Sequence, residues 1–163
     1  MRIRLIILWL ALLAVAPAIG DESSPSLLAY ELKSLQEPEI HSLARYDGQP
    51  IVMVFFQPDC NWCAKQVDAI NDLNEKCGRE FGVIAVGVGG TRTELRKELR
   101  RLRPDFPAYQ ASPRLIAEMG GVIATPITLL GDARGAFRNW TRGFVPAEDL
   151  KELVMAIDSG TCS

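Results

Sequence analysis

The sequence predicts an α/β domain with a central mixed β-sheet and helices on both faces of that sheet. Apolar runs typical of buried strands alternate with amphipathic segments of helical periodicity. This alternation implies parallel strands joined by right-handed helical crossovers. Two later strand-like segments flank a turn at residues 131–135, which predicts a hairpin and therefore antiparallel strands at one edge of the sheet.

The first predicted elements lie around a continuous apolar run at residues 51–56. Leucines near helical spacing predict a short amphipathic helix over residues 26–37. The apolar run within residues 51–57 predicts a strand that is covered on both faces. A helix is expected over residues 61–77, with Gly78 as its C-terminal cap, and a second buried strand over residues 82–88.

Capping residues and prolines bound the elements that follow. Thr91 and Glu94 have the spacing of a capping box, which predicts that a helix begins after Thr91, and Pro104 ends that helix. Ser112-Pro113 is typical of the start of another helix. The predicted elements are, in order, helix 92–103, a short edge strand at 106–109, helix 113–119, hairpin strands 127–130 and 136–141, and helix 146–157.

The N-terminus has the three parts of a secretory signal peptide. A basic start precedes an apolar run at residues 5–16, and Ala16 and Ala18 fit a small-residue cleavage site. We expect residues 1–18 to be the signal peptide, with cleavage after residue 20 as the alternative. An N-terminal extension at residues 21–37 and one domain at residues 38–163 would follow. The run is short against the ~20 residues of a spanning helix, which disfavours an uncleaved membrane anchor.

Cys60 and Cys63 form a C-x-x-C motif at the junction of the predicted strand and helix. Free N–H groups and the dipole at a helix N-terminus stabilise a thiolate, so Cys60 is the candidate nucleophile. Cys63 lies one turn further and can close a disulfide that releases a mixed-disulfide partner. Trp62, between the two cysteines, is expected to be exposed and to contact substrate proteins.

Charge and residue types disfavour several other functions. The net charge of −2 argues against nucleic acid as a partner. Zinc needs about four ligands, whereas the chain has one C-x-x-C, two distant cysteines and His41, which we expect to be solvated. We therefore predict no metal. The basic run between the two buried strands and the hairpin is expected to be a solvated helix face; it comprises Arg92, Arg96, Lys97, Arg100, Arg101 and Arg103.

Three segments of the chain carry a resemblance to one protein family. They are residues 55–63 around the C-x-x-C, residues 124–130 around Pro126, and residues 106–120, a strand-helix insert. Over residues 35–157 the chain resembles thioredoxin-fold proteins of the TlpA/ResA redoxin branch. The resemblance implies a cis Thr125–Pro126 bond that faces the dithiol, with the Thr125 backbone able to pair with a bound peptide.

Two positions depart from the pattern of that family. Val54 stands where thioredoxins carry a buried Asp, and Gln66 stands where the branch often has a Glu. An amide cannot act as a base, so no obvious carboxylate takes the proton of Cys63. Installing one by Gln66→Glu is expected to change the pH dependence of exchange. Asp59 is expected to raise the pKa of the Cys60 thiol.

The sequence thus predicts an exported thiol–disulfide oxidoreductase with no cofactor. Its partners would be protein thiols and disulfides and a redox partner, membrane-bound or soluble, that the sequence does not name. The periplasm is the expected compartment, and a monomer is expected. The alternatives are a disulfide isomerase serving an export or conjugation apparatus, a redoxin-type peroxidase, and a non-catalytic thioredoxin-fold binding module.

Cys77 and Cys162 are candidates for a second, structural disulfide. Four cysteines are an even number in an oxidising compartment, and the C-x-x-C uses two. In a thioredoxin-like fold the active-site helix and the last helix lie on one face and run in the same direction. Their two ends, and with them the two cysteines, should then meet. The alternative is a buried Cys77 beside a frayed tail that carries Cys162.

Overall fold

A seven-stranded mixed sheet forms the centre of the molecule. The computed structural model describes residues 26–77, 80–122 and 124–162, so the predicted signal peptide and Gly78 lie outside the described residues. The strands are β1 (Glu31–Ser34), β2 (Ile40–Ser42), β3 (Ile51–Phe56), β4 (Gly82–Gly87), β5 (Ala108–Gln110), β6 (Ile127–Gly131) and β7 (Phe137–Arg142). The helices are α1 (Asn61–Lys76), α2 (Arg92–Leu102), α3 (Pro113–Glu118) and α4 (Ala147–Ile157). The predicted fold class is confirmed.

The strand order β2-β1-β5-β4-β3-β6-β7 places the two longest apolar strands in the middle of the sheet. β3 pairs in parallel with β4 and antiparallel with β6, where Phe55 lies opposite Ile127. The end of β3 and the beginning of β6 therefore meet at the same edge of the sheet. This topology brings the segment after Phe56 next to the segment before Ile127.

Alternation along β3 divides the core into two layers. Val52, Val54 and Phe56 face the layer that α1, α2 and α4 cover. The intervening residues of β3 face the opposite layer, which α3 and the N-terminal segment cover. Both faces of β3 are buried, which is why its sequence is a continuous apolar run rather than an alternating one.

The structure corrects two expectations about the sheet. Residues 26–37 do not form a helix; Glu31–Ser34 form β1, in which Leu32 and Ser34 point inward and their neighbours outward. Leu32 packs in the layer with α3, and β1 pairs with β2 and β5. The predicted edge strand at residues 106–109 is instead interior, because β1 and β2 pair on its outer side.

The predicted N-terminal extension therefore supplies a strand to the domain, since β1 lies within residues 21–37. The later elements follow the predicted order with ends shifted by one or two residues. Thr91 and Glu94 form the capping box at the start of α2, and Ser112 caps α3. None of the helices in the described residues combines the length and the apolar composition that crossing a membrane requires.

Candidate active site

The C-x-x-C lies at the start of α1, directly after the loop that follows β3. Cys60 is the N-cap of α1, and its Sγ accepts a hydrogen bond from the backbone N–H of Cys63 at 3.1 Å. The two cysteines form a disulfide with a Cα–Cα separation of 5.2 Å. An N-cap sulfur that already accepts a helix N–H is placed to be stabilised as a thiolate when the disulfide is reduced.

The two cysteines differ in their exposure to solvent. Cys60 retains 8% of its surface, whereas Cys63 is 0% exposed beneath it. Both cysteines are packed in the core layer with α1 and α4. Of the two sulfur-bearing residues, Cys60 is therefore the one that is in contact with solvent, and Cys63 lies beneath it.

The start of β6 forms the opposite wall of the site. The Thr125–Pro126 peptide bond is cis. The Thr125 hydroxyl donates to Cys60 Sγ at 3.4 Å, and its carbonyl oxygen lies 3.7 Å from the same sulfur. The Pro126 carbonyl accepts the N–H of Gly143 at 2.9 Å, which anchors the segment to the end of β7. Thr125 and Cys60 are thus brought together although 65 positions separate them.

Comparisons with known proteins agree with this fold. A thiol-disulfide oxidoreductase ResA from Geobacillus thermodenitrificans is 26% identical over 145 residues, which are 87% of this chain and 79% of that protein. A thiol:disulfide interchange protein of the thioredoxin family from Chlorobium tepidum superposes with a TM-score of 0.71 at 17% identity, covering 85% of this chain and 99% of its own. StoA from Bacillus subtilis superposes with a TM-score of 0.63 at 20% identity, covering 78% and 98%. No protein-family model matches.

The chain has a thioredoxin fold and is similar to ResA thiol-disulfide oxidoreductases. The predicted resemblance and the predicted class of activity, thiol–disulfide oxidoreductase, are confirmed.

Trp62 is 56% exposed on the first turn of α1. Its ring lies 6.3 Å from the ring of Phe144, which is 40% exposed, and Lys65 Nζ lies 4.3 Å above it. Sequence reasoning singled out Trp62 but missed Phe144. Phe144 lies 82 positions downstream in the loop between β7 and α4, and no local motif marks it. The two rings form an exposed aromatic pair beside the dithiol.

Gln66 is completely buried beneath the site, at 0% exposure. Its Oε1 accepts the N–H of Val145 at 2.7 Å, and its Nε2 donates to the Val145 carbonyl at 3.3 Å. The side chain therefore satisfies both backbone groups of one residue in the loop that carries Phe144. The sequence marked Gln66 only as a position where a family base is absent. In the structure the Gln66 amide connects α1 to that loop through two hydrogen bonds.

Two members of the basic run have partners, contrary to the expectation of a solvated face. Arg92 Nη2 donates to the carbonyls of Ser34 and Glu37, at 2.5 and 3.1 Å. Arg101 Nη2 donates to the carbonyl of Cys60 at 2.8 Å. A helical charge pattern does not reveal such contacts, because each partner belongs to a segment distant in sequence. Arg101 brings a positive charge to the backbone of Cys60.

Cys77 and Cys162 are joined by a disulfide with a Cα–Cα separation of 4.5 Å. Both are buried, at 4% and 7% exposure, at the ends of α1 and of the tail after α4. The N–H of Cys162 also donates to Glu80 Oε2 at 2.6 Å. This linkage holds the C-terminal tail to the end of α1 that lies away from the C-x-x-C.

His41 is half-buried rather than solvated. Its ring lies edge-on to the Tyr109 ring at 5.8 Å, and its Nδ1 lies 3.4 Å from the Tyr109 hydroxyl. Carboxylate oxygens of Glu37 and Glu39 and a ring nitrogen of His41 lie within 4.8 Å of one another. Two exposed carboxylates and one imidazole do not match the four-ligand pattern of a structural zinc site.

A cavity among the described residues lies on the other face of the sheet. It has a volume of about 460 Å³ and is bounded mainly by apolar side chains of α3, β6 and β7, including Met119, Leu129 and Trp140. Neither cysteine of the dithiol borders it. Disulfide exchange needs an accessible sulfur rather than an enclosed pocket, so the chemistry of the dithiol does not require this cavity.

Proposed function

We propose that this chain is an exported enzyme that exchanges disulfides with protein substrates, with Cys60 as the attacking cysteine and Cys63 as the resolving cysteine. The proposal rests chiefly on one observation: Cys60 Sγ is the N-cap acceptor of α1 and the less buried sulfur of the pair. The signal-peptide pattern supports export. The Cys77–Cys162 linkage supports an oxidising compartment such as the periplasm.

Exchange would proceed in two displacements. The Cys60 thiolate attacks one sulfur of a substrate disulfide, which forms a mixed disulfide and expels the other substrate sulfur as a thiolate. Cys63, deprotonated, then attacks Cys60 Sγ and expels the second substrate thiolate. The substrate gains two electrons, and the enzyme is left with the Cys60–Cys63 disulfide. The reverse sequence oxidises a substrate dithiol, so the reduction potential sets the direction.

The substrate would lie across the open surface around Cys60. Trp62 and Phe144 offer aromatic area on one side, and the Thr125–Pro126 segment offers backbone on the other. Backbone pairing with Thr125 aligns an extended segment without reading its sequence, while aromatic rings supply contact area. This arrangement suits a protein substrate. A separate redox partner, membrane-bound or soluble, would reset the dithiol, and the enzyme would act as a monomer.

Trapping of mixed disulfides tests the proposal directly. In the reduced protein, mild alkylation should label Cys60 first, and Cys60→Ser should abolish reduction of insulin. Cys63→Ser should retain the first step and accumulate mixed disulfides with substrate proteins. If alkylation labels Cys63 first, the assigned roles of the two cysteines are reversed. If Cys60→Ser still reduces insulin fully, Cys60 is not the attacking cysteine. Peroxide consumption that depends on Cys60, without insulin reduction, would favour the peroxidase alternative.

A further inference from the structure

Arg101 connects α2 to the nucleophile. Its Nη2 donates to the Cys60 carbonyl at 2.8 Å, across 41 positions of sequence. The carbonyl and the sulfur belong to the same N-cap residue, and that sulfur accepts the Cys63 N–H. The nucleophile's residue is thus contacted on one side by a helix N–H and on the other by a guanidinium group.

The guanidinium is held in place by a carboxylate with little exposure. Glu98 is 5% exposed, and its two oxygens accept from Arg101 Nη2 at 2.5 Å and from Nε at 3.1 Å. This two-point contact fixes the plane of the guanidinium. The hydrogen bond with Glu98 raises the pKa of Arg101, so the group is charged throughout the range in which a thiol titrates.

The charged groups around Cys60 come from the loop before α1, from α1 and from α2. Asp59 precedes it in the loop, and its carboxylate interacts with the Arg101 charge. Lys65 on α1 lies over the Trp62 ring. From α2 come Arg101, whose Nη2 reaches the Cys60 carbonyl, and Glu98 behind it. Thr125, on the β6 side, contributes an uncharged hydroxyl.

We propose that Arg101 is a positioning residue that stabilises the Cys60 thiolate, and that Glu98 both orients Arg101 and offsets part of its charge. The inference rests on the proposed role of Cys60 as nucleophile. A stabilised thiolate favours the reduced dithiol, which makes the Cys60–Cys63 disulfide more oxidising. The α2 pair would thereby tune the reduction potential, and it would counter Asp59, whose negative charge destabilises the thiolate.

The two members of the pair act in opposite directions, and this gives the test. Arg101→Gln removes the positive charge and should raise the pKa of Cys60, with about a threefold lower thiolate fraction at neutral pH. Glu98→Gln keeps the shape of the side chain but removes the negative charge that offsets part of the Arg101 charge. It should therefore lower the pKa of Cys60. Arg101→Lys should restore most of the wild-type value. Arg100→Gln, an exposed neighbour on α2, is the matched control.

The measurements are the pH dependence of Cys60 alkylation in a Cys63→Ser background and the redox equilibrium of the dithiol with glutathione. Thermal unfolding of each variant shows that it is folded. Arg101→Gln should make the dithiol more reducing, and Glu98→Gln more oxidising. The proposal would be overturned if the pKa of Cys60 in Arg101→Gln equals the pKa of Cys60 in Arg100→Gln. Shifts of the same sign in Arg101→Gln and Glu98→Gln would also overturn it, because the pair would then act only as a brace. Alkylation needs no exchange activity, so this outcome is separate from failure of the proposed function.

Discussion

Gln66 and Val145 form a reciprocal pair in which one buried amide side chain satisfies both backbone groups of a loop residue. Val145 N–H donates to Gln66 Oε1 at 2.7 Å, and Gln66 Nε2 donates to the Val145 carbonyl at 3.3 Å. The loop that carries Phe144 is fixed to α1 by this pair. An amide is the side chain that can make both bonds at once without a charge.

Gln66→Glu should destabilise the protein in a pH-dependent way. An ionised carboxylate would accept from Val145 N–H but face the Val145 carbonyl, and burial disfavours its charge. The pKa of the new carboxyl therefore rises above its unfolded value of about 4.3. Near-wild-type stability is expected below that value. About 1–3 kcal/mol should be lost as pH rises through the folded pKa. Urea unfolding between pH 4 and pH 8 measures the effect.

The exposed Gln49→Glu is the control for that experiment and should show no such pH trend. The same Gln66→Glu protein should also show an altered pH–rate profile for disulfide exchange, because a titrating group now lies beneath the dithiol. A stability difference that is constant with pH would mean that the new carboxyl has moved away from Val145. An unchanged rate profile would mean that another group or water already takes the Cys63 proton.

Phe144→Ala should weaken exchange with protein substrates more than with small disulfides. The exposed Trp62–Phe144 pair offers aromatic area that only a large substrate can cover. Loss of one ring should raise the KM for a reducible protein about fivefold, which corresponds to roughly 1 kcal/mol. Turnover of glutathione disulfide should change little. Trp140→Ala, an exposed aromatic on β7, is the control; an equal effect of both variants would argue against a specific surface.

The Cys77–Cys162 linkage should contribute substantially to stability. It closes a loop of 85 residues, for which the chain-entropy model gives roughly 4 kcal/mol as an upper figure. The Cys77→Ala/Cys162→Ala double variant should therefore unfold at a clearly lower urea concentration. The Cys60→Ser/Cys63→Ser variant, which opens a loop of only three, serves as the comparison. Non-reducing peptide mapping must show the linked peptides; two free thiols there would contradict the pairing.

Asp132 should stabilise the β6–β7 hairpin at neutral pH and lose that effect in acid. Burial raises the pKa of this carboxyl, but hydrogen bonds from Arg138 and from the N–H groups of Arg134 and Ala136 outweigh it and hold the pKa below 3.8. The contribution is present above pH 3.8 and is lost as pH falls through the folded pKa. Asp132→Asn should cost about 1–2 kcal/mol at pH 7.

The difference in the free energy of unfolding between wild type and Asp132→Asn should shrink as the pH falls below 3.8. Once the pH has fallen through the folded-state pKa, the wild-type carboxyl is protonated and, like the Asn amide, carries no charge. Urea unfolding at pH 7 and at successively lower pH values gives the comparison. Asp68→Asn, at an exposed position on α1, should show neither the loss at pH 7 nor the trend. A difference that persists unchanged to pH 2 would assign the effect to shape rather than charge.

The sequence by itself determined the order of elements from residue 51 onward and the placement of the dithiol. These signals are local: an apolar run for β3, a capping box for α2, and a C-x-x-C at the strand-to-helix junction. Each depends on neighbours within a few positions, so it can be recognised without knowing the fold. The resemblance around Pro126 supplied the second half of the site in the same way.

Only the tertiary structure decided what each local segment contacts. The leucines of residues 26–37 fit a helix by spacing, yet Glu31–Ser34 form a strand because β5 and β2 lie beside them and satisfy their backbone groups. Arg101 contacts Cys60, Val145 contacts Gln66, and Phe144 lies beside Trp62, although 41, 79 and 82 positions separate these partners in sequence. Such contacts leave no periodic pattern in the sequence, because the partners are distant along the chain and become neighbours only when the chain folds. Long-range packing therefore selected the N-terminal strand and completed the active site.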